Sequence, residues 1–170
     1  MKFRPYAHLA TLLLTLLASV AATARVEAPK VTTALNSPLP LPYDEAADAK
    51  SQVAGALARA KAANKLVLLD FGGNWCPDCR ILAGTLALGE VRPAVDRTFE
   101  TVMIDVGRFT KNLDIAAGYG VTVKAVPTII ILNSDGKRIN SGDPAALSDA
   151  RSMNPQDIVD MVFGWTAGAK

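Results

Sequence analysis

Cysteine and histidine are scarce in this chain, which has two cysteines and one histidine among 170 residues. A zinc site needs about four ligands, and the single histidine, His8, lies in a segment that we expect to be removed. A structural disulfide is also a poor explanation, because cross-links stabilise mainly by closing long loops and only two residues separate Cys76 from Cys79. We therefore expect neither a metal nor a cofactor, and the two thiols themselves are the candidates for chemistry.

The chain has one long apolar run, at the N-terminus, where residues 9–20 are almost wholly apolar, and no second run of this kind follows. Lys2 and Arg4 precede this run and Ala22-Thr23-Ala24 follows it as a small-x-small cleavage signal, which is the pattern of a secretory signal peptide. The run is too short for a comfortable membrane span. We therefore predict a signal peptide over residues 1–24 and a periplasmic or otherwise exported protein; the alternative is an uncleaved anchor.

An excess of charge of either sign is missing once this segment is set aside. The whole chain has 18 Lys and Arg residues, and loss of Lys2 and Arg4 leaves 16 against 16 Asp and Glu. No basic stripe indicates a nucleic-acid partner. Residues 25–170 are enough for one domain with its own core.

Both cysteines lie in the hexapeptide Trp75-Cys76-Pro77-Asp78-Cys79-Arg80, directly after the apolar run 66–71. Pro77 suits the first turn of a helix, so the Cys76 sulfur would lie among unpaired helix N–H groups that favour a thiolate. The Cys79 sulfur, one turn later, can close on the first and expel whatever it has attacked. Export would place this pair where disulfides persist. The pattern therefore indicates dithiol–disulfide exchange.

The rest of the chain predicts one α/β domain over residues 44–170. Residues 25–43 are rich in proline and read as an extended lead-in or linker. Strand 66–71 is too apolar to be half exposed, which predicts a central strand covered on both faces. Helices are expected at 44–63, 77–88, 93–97, 113–117 and 155–165, and further strands at 100–106, 126–132 and 137–140. This order suits a single compact domain.

These residues resemble the thioredoxin superfamily from about residue 44 to residue 165. Asp70 lies six positions before Cys76, where thioredoxins carry a buried carboxylate. Trp75-Cys76-x-x-Cys79 matches the active-site motif, Tyr119-Gly120 precedes the third strand, and Val126-Pro127-Thr128 is similar to the segment whose proline is cis and lies against the sulfurs. The resemblance implies a thioredoxin fold, with a central mixed sheet flanked by helices. It is nearest to periplasmic disulfide-isomerase-like proteins and to the domain that ends membrane electron-transfer reductases.

The sequence departs from that family at two places. Gly72-Gly73 replaces the aromatic-Ala pair that is common before the motif, which leaves the local packing open. Residues 107–125 are longer than in small thioredoxins, with an insertion near 107–111, so the loop beside Pro127 is expected to be shaped for a particular partner.

The resemblance implies a role for each residue of the site. Cys76 is the attacking thiolate and Cys79 the resolving thiol. Asp70 would accept and return the Cys79 proton through water, because a buried carboxylate has a raised pKa; the alternative is a partly exposed strand-end Asp. Pro127, if cis, would block metal capture and shape a substrate groove with Val126 and Thr128; the alternative is an ordinary strand-edge proline.

Residues next to the cysteines are expected to rim the site or to tune its redox chemistry. Trp75 is predicted to rim the substrate site, with a core position as the alternative, and Arg80 either raises the thiolate fraction or is simply solvated. Asp78, ~7 Å from the Cys76 sulfur at an effective dielectric of ~40, would oppose the thiolate by ~1 kcal/mol. The helix terminus after Pro77 favours the thiolate by ~0.3–1 kcal/mol. This near cancellation argues against a strong oxidant.

We therefore predict an exported thiol–disulfide oxidoreductase that acts on protein disulfides, as a reductase or an isomerase, with a membrane thiol reductase as its candidate electron donor. Two alternatives stay open. One is a dedicated reductant of apocytochrome cysteines, and the other is a thioredoxin-fold binding or assembly module with little catalytic activity.

Overall fold

The computed structural model describes residues 26–168, so the predicted signal peptide and its cleavage site lie outside the described residues. Within this range no helix is long and apolar enough to cross a membrane. The main elements in chain order are α1 (Ala49–Ala63), β1 (Leu66–Gly72), α2 (Pro77–Leu86), α3 (Arg92–Thr98), β2 (Phe99–Asp105), α4 (Leu113–Gly118), β3 (Thr128–Leu132) and α5 (Pro155–Gly164). Short 3-10 helices lie on either side of α5, at Ala150–Ser152 and Trp165–Gly168.

A mixed sheet is the centre of the described residues, with its strands in the order β2-β1-β3. The central strand, β1, pairs parallel to β2 and antiparallel to β3. Its side chains alternate between two cores: Val67 and Leu69 pack with α1 and α4 on one face, and Leu68 packs with α2, α3 and α5 on the other. Burial on both faces explains the unbroken apolar run. The predicted central mixed sheet flanked by helices is confirmed.

The strand predicted at 137–140 is wrong. Only one isolated bridge, between Leu132 and Arg138, forms there. The buried side chain of Asn140 takes the place of a strand backbone: its Oδ1 accepts from the Ile131 N–H at 3.0 Å, and its Nδ2 donates to the Ile129 carbonyl at 3.0 Å. A side-chain amide offers both a donor and an acceptor, so the edge of β3 is satisfied without a fourth strand.

Two elements begin later than predicted, each for a local reason. Helix α1 starts at Ala49 rather than near residue 44, because the Asp48 carboxylate caps it by accepting the Ser51 N–H at 3.1 Å. Strand β3 starts at Thr128 rather than at Val126, since the intervening proline has no N–H to donate to a ladder.

The lead-in, from residue 26 to residue 43 in the structure, forms no helix or strand, and it is attached to the domain rather than free as a linker would be. Its backbone N–H groups at Thr32 and Thr33 both donate to the Glu90 carboxylate at 2.9 Å. Further along, the Leu39 carbonyl accepts from Arg80 at 2.8 Å. At its end Tyr43 is 3% exposed and belongs to the core beside β1. The lead-in therefore delivers a tyrosine to the interior of the domain.

Candidate active site

The two thiols lie where β1 passes into α2. Cys76 is the N-cap of α2 and has extended backbone geometry, and its Sγ accepts the backbone N–H of Cys79 at 3.3 Å. Pro77 occupies the first turn of α2, where a missing N–H leaves no hydrogen bond unmade. Both cysteines are free, with Cys76 4% exposed and Cys79 fully buried. The local sequence thus places one reactive sulfur at a helix start and the other beneath it.

The surroundings of the two sulfurs divide their roles. A hydrogen bond from the Cys79 side chain, aided by the Cys79 N–H, lowers the pKa of Cys76 to about 7 against burial and the charge of Asp78. The same side-chain bond, together with burial and the Asp70 charge, raises the pKa of Cys79. A free cysteine has a pKa of about 8.5, so Cys76 carries more thiolate at neutral pH than a free cysteine does. Cys76 is therefore the thiol that ionises more easily, and Cys79 keeps its proton.

The Asp70 carboxylate is buried in the middle of β1 and has one hydrogen-bond partner. Its Oδ1 accepts the Tyr43 hydroxyl at 2.9 Å, and its Oδ2 is buried without a partner. Burial raises the pKa of Asp70 to about 7, although the Tyr43 bond lowers it. A carboxylate that titrates near neutrality can both take and return a proton. Complete burial rules out the partly exposed strand-end alternative.

The segment before β3 lies against the Cys76 sulfur. The Val126–Pro127 peptide bond is cis. The Cys76 thiol donates to the Val126 carbonyl at 3.6 Å, and the Thr128 hydroxyl donates to the Ala125 carbonyl at 2.7 Å across the turn. The structure thus brings this segment, some fifty positions away in the chain, onto the dithiol.

An exposed rim, formed by Trp75, Arg108 and Phe109, borders the dithiol. The indole Nε1 of Trp75 donates to the Gly107 carbonyl at 2.6 Å. The guanidinium of Arg108 lies 5.1 Å from the centre of the Trp75 ring, and the Phe109 ring centre is 6.0 Å away. Gly73 makes this possible, because an added Cβ there would lie 2.4 Å from the indole nitrogen. The insertion near 107–111 and Trp75 therefore form one surface.

The Asp78 carboxylate has a partner that the sequence did not predict. Its side chain is 2% exposed and pairs with Arg151. The Arg151 backbone N–H donates to Oδ1 at 2.9 Å, and its guanidinium donates to both oxygens. Burial opposes ionisation of Asp78, but these bonds and the charge of Arg151 prevail and lower its pKa. The carboxylate still raises the pKa of Cys76, with part of its charge offset by Arg151.

Arg80 has neither of the two roles expected for it. Its Nη2 donates to the Leu39 carbonyl at 2.8 Å and its Nε to the Pro40 carbonyl at 3.1 Å. The guanidinium therefore holds the lead-in against α2 and is not directed at the sulfurs.

Sequence reasoning missed two residues of the site, Tyr43 and Arg151. Tyr43 stood in a segment assigned to a lead-in, and Arg151 in a loop. The sequence signal for Tyr43 was Gly72, which replaces the first residue of the family's aromatic-Ala pair. A Cβ added to Gly72 would lie 2.3 Å from the Tyr43 hydroxyl oxygen and 2.8 Å from the Cys79 sulfur. Nothing in the local sequence marks Arg151. Among residues 26–168, no three His, Cys, Asp or Glu side chains are grouped to hold a metal ion.

Comparison with known proteins agrees with this geometry. A family model described as thioredoxin-like matches residues 48–134. The crystal structure of a disulphide isomerase from Xylella fastidiosa Temecula1 is 42% identical with a TM-score of 0.69, over 74% of this chain and 96% of that one. A thioredoxin H-type of Brassica campestris is 30% identical over 82 residues, which span 48% of this chain and 59% of that relative. The C-terminal domain of Neisseria meningitidis DsbD is 31% identical over 54% of this chain and 79% of that chain, with a TM-score of 0.43.

Proposed function

This chain belongs to the thioredoxin-like family, and we propose that it is an exported thiol–disulfide oxidoreductase that exchanges disulfides with protein substrates through Cys76 and Cys79. The observation that carries the proposal is the asymmetry of the buried pair. One thiol has a pKa of about 7 at a helix start, and the other keeps its proton beside a carboxylate that titrates at the same pH. Such a pair suits attack followed by resolution.

The reaction takes place in two exchanges. The Cys76 thiolate attacks one sulfur of a substrate disulfide, and the electron pair of the broken bond leaves on the other substrate sulfur. Cys79 then gives up its proton and attacks the Cys76 sulfur, which releases the second substrate thiolate. The substrate gains two electrons and the dithiol becomes a disulfide. Asp70 is the base for the second exchange, because its carboxylate is buried close enough to raise the pKa of Cys79 by its charge.

The pKa of Cys76 supports a reductase or an isomerase rather than a strong oxidant. Attacking thiols have pKa values of roughly 7 in thioredoxin but roughly 3.5 in a strong disulfide oxidant, whose thiolate is greatly stabilised. Cys76, at about 7, falls with the first group. The 42% identity to a disulphide isomerase along nearly all of that protein favours isomerisation. Either activity needs a reduced dithiol, for which we propose a membrane thiol reductase as the donor.

The substrate surface that we propose joins the exposed rim to the segment before β3. The Trp75 and Phe109 side chains are 36% and 39% exposed although both are large and apolar. Aromatic side chains offer contact area at little entropic cost. On the other side of Cys76, Val126 and Thr128 flank the cis proline. A substrate chain between these two sides would present its disulfide to Cys76.

Reduction of insulin by dithiothreitol tests the activity. Residues 25–170 should accelerate the reaction, and Cys76→Ser should lower the rate to that of dithiothreitol alone, since the nucleophile is gone. A wild-type protein no faster than dithiothreitol, or an active Cys76→Ser variant, would leave the binding module as the better function.

A Cys79→Ser variant tests the substrate class and the export together. Without the resolving thiol, Cys76 should stay joined to its substrates. Expressed with residues 1–24 in a bacterial host, the variant should form adducts in the periplasmic fraction that disappear on reduction, and Cys76→Ser/Cys79→Ser should form none. Adducts to many folding clients support isomerisation, and adducts confined to cytochromes support the dedicated reductant. A folded protein that stays in the cytoplasm contradicts the export proposal.

A further inference from the structure

The Tyr43 hydroxyl lies beside both the Asp70 carboxylate and the Cys79 sulfur. It donates to Asp70 Oδ1 at 2.9 Å. The same oxygen and the Cys79 sulfur both border the space over Gly72, where an added Cβ would lie 2.3 Å from the oxygen and 2.8 Å from the sulfur. Only a glycine leaves this space open, because real Cβ atoms do not approach other atoms so closely. The lead-in therefore inserts a hydroxyl at the position where the sequence predicts a water-mediated path.

The resolution step has a charge problem that this hydroxyl can solve. Once Cys76 is joined to a substrate, its sulfur can no longer carry the negative charge, and Cys79 must ionise near the Asp70 carboxylate, whose charge opposes that ionisation. Two negative charges in one buried site are strongly disfavoured. Transfer of the Cys79 proton to Asp70 as the sulfur attacks keeps the net charge of the site at one.

A tyrosine in this place can pass a proton without ionising. Burial, followed by the charges of Asp70 and Cys79 and hydrogen bonds to both, raises the pKa of Tyr43 well above its ordinary value. The hydroxyl thus stays neutral and carries a proton only by releasing one as it receives another. Among the described residues, Asp70 Oδ2 has no hydrogen-bond partner. The bond from Tyr43 is therefore the one hydrogen bond that this carboxylate accepts there.

We propose that Tyr43 is a proton relay between Cys79 and Asp70, an inference that rests on the proposed oxidoreductase function. As Cys79 attacks the mixed disulfide, its S–H proton passes to the Tyr43 oxygen and the Tyr43 O–H proton passes to Asp70 Oδ1. The Cys79 electron pair forms the bond to Cys76, and the pair of the broken bond leaves on the substrate sulfur. The negative charge of Asp70 thereby ends on the departing thiolate.

Dithiobis(nitrobenzoate) separates the two exchanges, because each releases one coloured thiolate. Tyr43→Phe should leave the first phase, attack by Cys76, within about twofold of wild type and slow the second phase by tenfold or more, since positioned proton transfer contributes about 10²–10⁴-fold. The deficit should persist at high pH, where Asp70 is ionised in both proteins. The matched control is Tyr119→Phe, which removes a half-buried hydroxyl that makes no hydrogen bond to the dithiol and should change neither phase.

A double-mutant comparison distinguishes a relay from a structural role. If Tyr43 acts through Asp70, Tyr43→Phe should have little further effect on the rate of the second phase once Asp70 is already Asn. If Tyr43→Phe instead causes a general loss of packing, its effect on that rate should add to the effect of Asp70→Asn. Gly72→Ala, which keeps Tyr43, Asp70 and both thiols but fills the space between them, should reproduce the slow second phase. Circular dichroism and thermal unfolding check that each variant folds.

The wild-type protein supplies a test that needs no variant. Because two protons move together, the second-phase rate should fall non-linearly with the deuterium fraction of the solvent. A linear dependence, or a second phase in folded Tyr43→Phe equal to wild type, would overturn the relay while leaving the oxidoreductase function intact. Failure of that function has a different signature, in which wild-type protein gives no first phase at all.

Discussion

We expect Asp70 to make this protein less stable as the pH rises to neutrality, and Asp70→Asn to abolish that loss. Burial raises the pKa of Asp70 to about 7 in the folded state, while in the unfolded chain it is about 3.9. The folded state therefore holds the proton more tightly. The contribution of Asp70 to the free energy of unfolding is complete below about pH 4 and is lost between about pH 4 and 7. Above about pH 7 it no longer changes with pH. A pKa difference of one is worth about 1.4 kcal/mol, so the full loss is about 4 kcal/mol.

Urea unfolding of the reduced protein between pH 4 and 8 measures this effect. The free energy of unfolding of wild type minus that of Asp70→Asn should fall by about 4 kcal/mol across this range, with a slope of at most ~1.4 kcal/mol per pH unit. Cys76 acts in the opposite direction, because its pKa is lowered in the folded state, but it titrates in both proteins and cancels in the difference. Asn keeps an oxygen for the Tyr43 hydroxyl. Parallel profiles for the two proteins would refute the reasoning.

Three further predictions concern the surroundings of the dithiol. Alkylation of Cys76 by iodoacetamide should be half-maximal near pH 7 in wild type and at a lower pH in Asp78→Asn. In Arg151→Met, which removes the partner of the Asp78 charge, this midpoint should lie at a higher pH. Equal midpoints in the three proteins would show that the Asp78–Arg151 pair does not change the pKa of Cys76. Trp75→Ala should raise KM for a protein disulfide by about threefold to tenfold and leave dithiobis(nitrobenzoate) attack unchanged, and a change confined to kcat would contradict a role in binding. Hydrogen bonds from the lead-in hold the pKa of Glu90 at about 2, so the attachment of the lead-in to Glu90 is complete above about pH 4.5 and is lost as the pH falls towards 2. Hydrogen exchange of residues 31–33 should increase in Glu90→Gln at neutral pH. Unchanged protection would show that Glu90 does not hold the lead-in.

Most of the catalytic centre is local in the chain, and the sequence alone predicted it. Three features can be recognised from neighbouring residues alone: the apolar run that becomes β1, Pro77 at the start of α2, and the spacing of Cys76 and Cys79. Apolar runs and helix-start signals are patterns of adjacent positions in the chain. The resemblance to the thioredoxin superfamily added Asp70 and Pro127 to the predicted site, because both match positions that the family carries with its two cysteines.

Residues that determine how the site is tuned are far apart in the chain, and only the tertiary structure brought them together. Tyr43 and Asp70 are 27 positions apart, and Asp78 and Arg151 are 73 apart. Their contacts depend on how the lead-in, α2 and the segment before α5 pack on the sheet, which no local periodicity encodes. The missing fourth strand has the same origin, because Asn140 reaches β3 only through the folded loop. The local sequence therefore determined where the two thiols lie. Burial and long-range hydrogen bonds decided how readily each thiol ionises, because pKa values depend on surroundings that exist only after folding.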